Sequence, residues 1–186
     1  MISFLAAIPY SLYHAFGSMF FADEQVKNIT VTMSWGQVCE IFFLFAVTGI
    51  MLKLGFKKTL LIGLGAMLLR YLSFYLGVEL GQQWWYIIGI LMHGIIFTLF
   101  FICGQIFINK VTPVEMRAQA QGFLSFVFWG MGYLTGVLLN GWIIGHYRIA
   151  EKCNWSVLFL ISMLFTLVAT ILLILLLKPE KNPVNQ

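Results

Sequence analysis

A single carboxylate, Glu40, stands in the middle of a long apolar stretch, within the segment WGQVCEIFF that begins at Trp35. Its nearest charged neighbours along the chain are Lys27 and Lys53. A charge at the centre of a membrane-spanning helix costs about 2.5–3.5 kcal/mol, and such a residue is a candidate functional residue by default. Gln37 lies three residues earlier on the same helix face, so the two side chains together suit a polar solute.

Other polar residues interrupt the apolar stretches. Ser11 and His14 are three residues apart and share a predicted helix face, which suits solute contact. His14 and His93 are each candidates for packing or hydrogen bonding within the protein, for solute contact and for proton transfer. Arg70 lies too deep in its stretch to reach water easily, so it needs a partner. The sequence leaves open whether Glu40 contacts a solute or forms a structural ion pair with Arg70 or an interhelical hydrogen bond.

Phe97 and Phe101 are four residues apart, so their rings share one helix face and either pack in the core or stack on a flat solute. No second His or Cys stands at metal-ligand spacing from His14 or His93, so we expect no metal site. The sequence contains no HExxH, GxSxG or P-loop motif and no close pair of carboxylates. We therefore expect neither an enzyme nor a bound cofactor.

Composition identifies the surroundings of these residues. The chain has 186 residues, of which 61% are hydrophobic and only 10% are charged. Soluble domains carry about 25% charged residues, so the chain is predicted to lie in a lipid bilayer. The net charge of +4 is attributed to the loops between membrane spans. No basic cluster with interleaved aromatic residues lies outside the spans, so nucleic acid is not an expected partner.

The apolar residues fall in blocks of the length that crosses a bilayer as a helix, about 20 residues. They predict an all-α membrane protein that forms one domain over residues 1–186, and Gly132 and Gly136 form a small-xxx-small pair suited to close helix packing. A β-barrel is not expected, because the apolar runs do not alternate. The six predicted spans are 2–22, 31–52, 59–78, 84–109, 119–144 and 155–177.

Loop cations predict the orientation, because cytoplasmic loops carry an excess of Lys and Arg. One side would hold Lys53, Lys57, Lys58, Lys110, Arg117, Lys178 and Lys181, and the other would hold Lys27, Arg148 and Lys152. The richer side is assigned to the cytoplasm. Both termini are then cytoplasmic.

Three segments, GQVCE in the second span, HGIIFTLFFICGQIFINK in the fourth and VTPVEMRAQAQG after it, resemble the nucleoside–proton symporter family of the major facilitator superfamily. The resemblance covers nearly the whole chain and corresponds to the C-terminal six-helix half. It implies a fold of two six-helix halves with the solute bound between them near the middle of the membrane. It also implies a nucleoside substrate, proton coupling and a location in a cell membrane, as in the inner membrane of a bacterium.

The same resemblance implies roles for individual residues. Gln37 and Glu40 match the polar pair that contacts solute on the second helix of this half. Ser11 and His14 fall at polar solute-binding positions on the first helix. Phe97 and Phe101 match the aromatic positions of the fourth helix. Such rings suit a nucleobase because every base offers a π face.

The resemblance leads to the expectation that the chain is half of a secondary active transporter for nucleosides. Its expected partners are a small solute, protons, the lipid bilayer, and either a second six-helix half or a homodimer mate. Glu40, Arg70 and His93 are the candidates for proton coupling or ion pairing. Two alternatives stay open: a truncated remnant or scaffold that does not transport, and a facilitator half for another polar solute such as a sugar.

Overall fold

A computed structural model of the protein describes residues 1–149 and 152–177. The predicted cytoplasmic tail, 178–186, lies outside the described residues. The described chain is almost entirely helical. Its long helices are α1 (Ile2–Asp23), α2 (Ile29–Leu80), α3 (Trp84–Val111), α4 (Val114–His146) and α5 (Trp155–Leu176). Between α4 and α5, strands β1 (Arg148–Ile149) and β2 (Lys152–Cys153) pair antiparallel, a short departure from the predicted all-α chain.

Helix α2 is 52 residues long and is interrupted at Gly55. The backbone there has φ 75° and ψ 164°, a region that is essentially open to glycine alone. Gly55 therefore divides the helix into two limbs, α2a (29–54) and α2b (56–80). The predicted spans 31–52 and 59–78 fall on these two limbs.

Helices α3 and α4 each contain one π-helical segment. In α3, the segment Phe97–Ile102 separates the α-helical parts Trp84–Ile96 and Cys103–Val111. In α4, a short 3₁₀ turn, Val114–Met116, is followed by Arg117–Ser125, the π-helical segment Phe126–Gly132 and Tyr133–His146. Such widened turns occur frequently at functional sites.

Four described helices, α2, α3, α4 and α5, are long and apolar enough to cross a membrane. A crossing needs about 20 residues, so α2 has the length for two crossings. Helix α1 has 22 residues and packs against α4 and α5, while α2 packs on α3 and α5. The pair Gly132 and Gly136 lies at the contact with α1, where a Cβ on Gly136 would lie 2.3 Å from Ser11 Oγ.

Hydrogen bonds join four helix ends at one end of the bundle. The Trp155 indole donates to Asp23 Oδ2 over 2.8 Å, and the Tyr86 hydroxyl donates to Glu24 Oε2 over 2.7 Å. Ser156 Oγ donates to Glu79 Oε1 over 2.7 Å. Burial and the negative charge of Asp23, partly opposed by Arg148, raise the pKa of the Cys153 thiol to about 11. The loops after α1, α2 and α4 therefore meet at this end, which we call the acidic end.

Different contacts mark the opposite end of the bundle. Lys57 Nζ, at the start of α2b, donates to the carbonyl oxygen of Ile174 in α5 over 2.7 Å. The ammonium of Lys110, near the end of α3, lies 5.0 Å from the centre of the Phe56 ring. The Gly55 break and the turn between α3 and α4 therefore share this end, which we call the basic end.

Candidate functional site

The predicted carboxylate Glu40, on α2a, lies beside His93 on α3. Glu40 Oε2 is 3.5 Å from His93 Nε2, slightly longer than a standard hydrogen bond. The Glu40 side chain is 23% exposed and the His93 side chain is 7% exposed. The two groups therefore join adjacent helices at a site that is open on the Glu40 side and closed on the His93 side.

Two glycines bring α2a and α3 close enough for this contact. A Cβ on Gly36 would lie 3.0 Å from both His93 Cβ and the Ile90 carbonyl oxygen. A Cβ on Gly94 would lie 2.4 Å from the Glu40 backbone nitrogen. The helices therefore touch backbone to backbone at this level, and the side chains of Glu40 and His93 meet beside the contact.

His14, on α1, extends the polar cluster. Its ring centre lies 5.2 Å from that of His93 and 4.3 Å from that of Tyr10. Tyr13 also borders the cluster, and its ring centre lies 5.7 Å from that of His93. His14 is exposed whereas Tyr10 and Tyr13 are buried. The structure therefore brings His14, His93 and Glu40 together from three different helix segments, with tyrosine rings behind them.

Arg70, on α2b, is completely buried. Its Nε donates to the Gly89 carbonyl oxygen over 3.2 Å, and its guanidinium carbon lies 4.3 Å from the centre of the Tyr13 ring. Within residues 1–149 and 152–177, no acidic side chain forms an ion pair with it, and its two Nη atoms lack a hydrogen-bond partner. An ion pair between Arg70 and Glu40, which the sequence left open, is therefore absent from this conformation, where the neighbour of Glu40 is His93.

Gln37 and Ser11 occupy different environments. Gln37 is exposed on α2a, one helical turn before Glu40. Ser11 is completely buried. Its hydroxyl donates to the Ile8 carbonyl oxygen over 2.8 Å and accepts from Asn140 Nδ2 over 3.1 Å. This corrects the expectation that Ser11 and His14 present one polar face, because Ser11 joins α1 to α4 whereas His14 is exposed.

The two predicted phenylalanines belong to an aromatic cluster. Phe101 is 9% exposed and is surrounded by other rings, with centroid distances of 4.1 Å to Phe128 and 4.6 Å to Tyr10. Phe97 is partly exposed and stacks with His93 at 6.2 Å. Phe97 therefore lies beside the polar cluster with part of its ring open, whereas the faces and edges of Phe101 are largely covered.

A cavity of about 300 Å³ lies beside these rings. Its walls are mainly apolar and include Phe97, Phe101 and Trp129, with Gln105 and Ser125 among the polar groups. None of Gln37, Glu40, His14 and His93 is in its lining. The predicted aromatic residues and the predicted polar residues therefore lie on two sides of one ring cluster, with the cavity on the aromatic side.

Sequence reasoning did not pair Glu40 with His93, nor did it identify Tyr10 as the ring at the centre of the cluster. The small residues Gly36 and Gly94 were a usable signal, because they mark where two helices approach closely. Tyr10 gave no such signal, since one tyrosine among many aromatic residues is not distinctive. Chemically, the arrangement offers a carboxylate and two imidazoles for hydrogen bonds and proton exchange, next to flat apolar surfaces.

Comparisons with known proteins identify the family. The family model described as "Nucleoside H+ symporter" matches residues 1–182. The chain is 28% identical over 98% of its length to the Escherichia coli K12 protein named "Putative nucleoside transporter YegT", covering 45% of that protein. It is 26% identical over 77% of its length to the E. coli K12 nucleoside permease NupG, covering 34% of it. Xanthosine permease of the same organism is 24% identical over 76% of the chain, covering 34% of it.

A solved structure gives the same fold. The crystal structure of nucleoside transporter NupG superposes with a TM-score of 0.83 and 21% identity, over 93% of this chain and 45% of that one. A mutant form of NupG superposes with a TM-score of 0.86 over 95% of this chain and 47% of that one. The chain thus spans less than half the length of the relatives that it matches. The named relatives are transporters rather than enzymes, in agreement with the expectation that this chain is not an enzyme, and the chain belongs to the nucleoside H+ symporter family.

Proposed function

We propose that the chain forms one six-helix half of a major facilitator transporter. The two limbs of α2 on either side of Gly55, together with α1, α3, α4 and α5, supply six segments long enough to cross a bilayer. The likeness to NupG, which extends over 95% of this chain and 47% of that one, supports this reading. The segments run between the acidic end and the basic end in alternation.

The proposed orientation has the basic end in the cytoplasm, together with both termini. Five described cations belong to the loops at that end, against three at the acidic end, and cytoplasmic loops are enriched in Lys and Arg. The basic-end cations are Lys53, Lys57, Lys58, Lys110 and Arg117; those of the acidic end are Lys27, Arg148 and Lys152. The membrane is the cell membrane, which in a bacterium is the inner membrane.

The proposed activity is proton-coupled uptake of nucleosides. The family description and the names of YegT, NupG and xanthosine permease support the solute class. A nucleoside combines a flat apolar base with a polar sugar. The site has the matching combination, because open ring surface at Phe97 adjoins the polar groups of Glu40 and His93.

Each predicted residue has a proposed role. Gln37, Glu40 and His14 bind the polar part of the solute, since all three are at least partly exposed. Phe97 stacks on the base, and Phe101 supports it from the core. Ser11 is left to helix packing, because its hydroxyl already contacts Ile8 and Asn140.

Proton coupling is assigned to Glu40 and His93. A carboxyl and an imidazole 3.5 Å apart can share one proton, and a solute that binds Glu40 competes with the imidazole for the same oxygen. Binding of the solute therefore changes which of the two groups, Glu40 or His93, holds the proton. Arg70 provides a fixed positive charge on the far side of Tyr13 and takes no direct part in the transfer.

A second protein unit is needed to complete the site. Gln37 and His14 are exposed although they lie within apolar helices. Polar residues at such depths face protein or a water-filled cavity rather than lipid. We propose a second six-helix half, or a second copy of this chain, as the unit that covers them.

The contact between Glu40 and His93 beside the partly open Phe97 ring carries the proposal. The chain is reconstituted in proteoliposomes together with its second unit, as a crosslinked dimer or with a supplied partner half, and is tested for binding of tritiated uridine and inosine, with unlabelled nucleoside and glucose as competitors. Nucleoside is expected to displace the label and glucose is not. Displacement by glucose would favour another solute, and no binding of either label would contradict a nucleoside site.

Uptake tests the need for a second unit. A host strain without nucleoside transporters is expected to accumulate label only where crosslinking shows a dimer or where a partner half is supplied. That uptake should collapse when a protonophore dissipates the proton gradient. Strong uptake by a demonstrated monomer would mean that one six-helix bundle holds the whole path.

A further inference from the structure

Trp129 is an exposed indole at the edge of the aromatic cluster. Its side chain belongs to the π-helical segment of α4 and is 45% exposed. The Trp129 ring centre lies 5.7 Å from that of Tyr10 and 6.2 Å from that of Phe101. Tyr10 in turn contacts His14 at 4.3 Å. One ring therefore separates this indole from the polar cluster.

The position of Trp129 along α4 argues against a lipid-facing role. It lies roughly 15 residues, or about 23 Å, from either end of the helix at 1.5 Å per residue. Tryptophan is enriched at membrane interfaces, where its N–H group reaches water. In the middle of the hydrocarbon an indole N–H facing lipid would lose its hydrogen bond at a cost. An open indole at this depth is better accounted for by a polar or water-filled path.

The cavity of about 300 Å³ gives Trp129 a ligand-sized space to face. Trp129 lines it together with Phe97 and Phe101, and ligand pockets begin at about this volume. Gln105 and Ser125 place amide and hydroxyl groups in the same wall. The open rings of Phe97 and Trp129 and the two hydrogen-bonding side chains suit a planar heteroaromatic base, whose faces are apolar and whose edge is polar.

Trp129 and its neighbour Phe128 both lie in the π-helical segment of α4. Phe128 is 3% exposed and packs on Phe101 at 4.1 Å, so the two π-helical segments meet at this pair. The ring of Trp129 stands edge-on to Phe128 at 4.8 Å and 89°. Phe128 therefore fixes the neighbouring indole while leaving part of its surface open.

We propose that Trp129 is a base-stacking residue of this transporter, which binds the nucleobase in the cavity shared with Phe97. This inference rests on the proposed function, because it names the part of the nucleoside that enters the cavity. It adds α4 to the helices that contact solute. The sugar then extends along Phe97 toward His93 and Glu40.

Affinity for uridine and inosine tests the stacking. Trp129→Ala should raise the Kd by roughly 5- to 150-fold, which is the range for loss of one base–aromatic stack. Trp129→Phe keeps a ring and should stay within about fivefold of the unaltered protein. Trp142→Phe is the matched control, because Trp142 is also exposed on α4 but stacks on His146 at 5.7 Å. It should leave the Kd unchanged.

Fluorescence provides a readout that does not depend on affinity. The protein has 6 tryptophans. The fluorescence of Trp129 is expected to be quenched both by bound nucleoside and by acrylamide in the aqueous phase. The component quenched by nucleoside should vanish in Trp129→Phe and persist in Trp142→Phe. Quenching of Trp129 by lipids brominated at mid-chain, without quenching by acrylamide, would overturn the proposal, because the indole would then face the hydrocarbon.

The outcomes separate this inference from the proposed function. If the unaltered protein binds nucleoside and Trp129→Ala binds it equally well, the stacking role is overturned and the nucleoside site stands. If the unaltered protein binds no nucleoside, both fail together. A higher Kd in Trp129→Ala with nearly normal Kd in Trp129→Phe, together with acrylamide quenching, supports the role.

Discussion

Gly94 on α3 lies directly against the backbone of Glu40 on α2a. A Cβ added to Gly94 would lie 2.4 Å from the Glu40 nitrogen and 2.5 Å from the Cys39 carbonyl carbon. Both of these atoms are backbone, so no flexible side chain can move aside. The position of the candidate carboxylate therefore depends on the absence of a side chain on the neighbouring helix.

Gly94→Ala is expected to separate α2a from α3 and to displace Glu40 from His93. Overpacking of this kind costs about 1–3 kcal/mol, so thermal unfolding should occur at a lower temperature and nucleoside affinity should fall. Gly49→Ala is the matched control, since a Cβ at Gly49 meets nothing within 4 Å. The control should keep affinity and Tm. Equal behaviour of the two variants would mean that the close contact is unimportant.

Glu40→Gln keeps the size of the side chain and one acceptor but removes the titratable proton. If Glu40 binds solute and exchanges a proton with His93, the variant should bind nucleoside more weakly and show a flatter pH dependence of uptake. Both are measured in the assembly that transports. Normal affinity with an unchanged pH profile would remove Glu40 from the site, and with it the reason for assigning Gln37.

A double-mutant cycle identifies the partner of Glu40. The 3.5 Å contact predicts that Glu40→Gln and His93→Gln are coupled by at least about 0.5 kcal/mol in unfolding free energy, because contacting residues are not additive. Glu40→Gln and Arg70→Gln should add within roughly 0.5 kcal/mol. Recovery of stability when Arg70→Gln is added to Glu40→Gln would instead indicate the ion pair that the sequence left open.

Sequence patterns predicted the membrane helices and the break in α2 from elementary causes. Long apolar blocks can satisfy their backbone in lipid only as helices or closed barrels, and the segment KLGFKK marks the break with charges and with Gly55. The two π-helical segments were not predictable in this way. They lie where the rings of Phe101 and Phe128 pack across two helices, and local sequence does not contain that contact.

The candidate site was predictable only residue by residue. Glu40 and His93 stand out because charged and titratable groups are rare in apolar helices, but their proximity depends on the depth at which Gly36 and Gly94 meet the facing helix. Ser11 shows that residue spacing alone does not determine which side chains on a helix are open to a solute. Ser11 is three residues before His14 and was therefore expected on the same face. Its hydroxyl instead accepts a hydrogen bond from Asn140 and lies at the contact between α1 and α4.

The proposed orientation predicts which engineered cysteines react from outside the cell. Lys27 and Lys53 are both exposed and lie at opposite ends of α2a. Lys27→Cys should be labelled by a membrane-impermeant maleimide in intact cells, and Lys53→Cys only after permeabilisation. Native Cys103 and Cys153 are buried, and the high pKa of Cys153, about 11, keeps its thiol protonated and unreactive. The reverse labelling pattern would invert the topology.

Phe97 and Phe101 are expected to differ although both sit at predicted aromatic positions. Phe101 is 9% exposed and contacts Phe128 at 4.1 Å, so Phe101→Ala removes a core ring. Such truncations cost about 3–5 kcal/mol, and Tm should fall sharply. Phe97 is partly exposed, so Phe97→Ala should cost less stability and raise the nucleoside Kd by roughly 5- to 150-fold through lost stacking. Neither change should alter the pH profile, because neither removes a titratable group.

Comparing Tm with Kd for the two variants distinguishes a core role from a binding role. If Phe101→Ala keeps its Tm but loses affinity, the Phe101 ring contacts the base directly and the core role assigned to it is wrong.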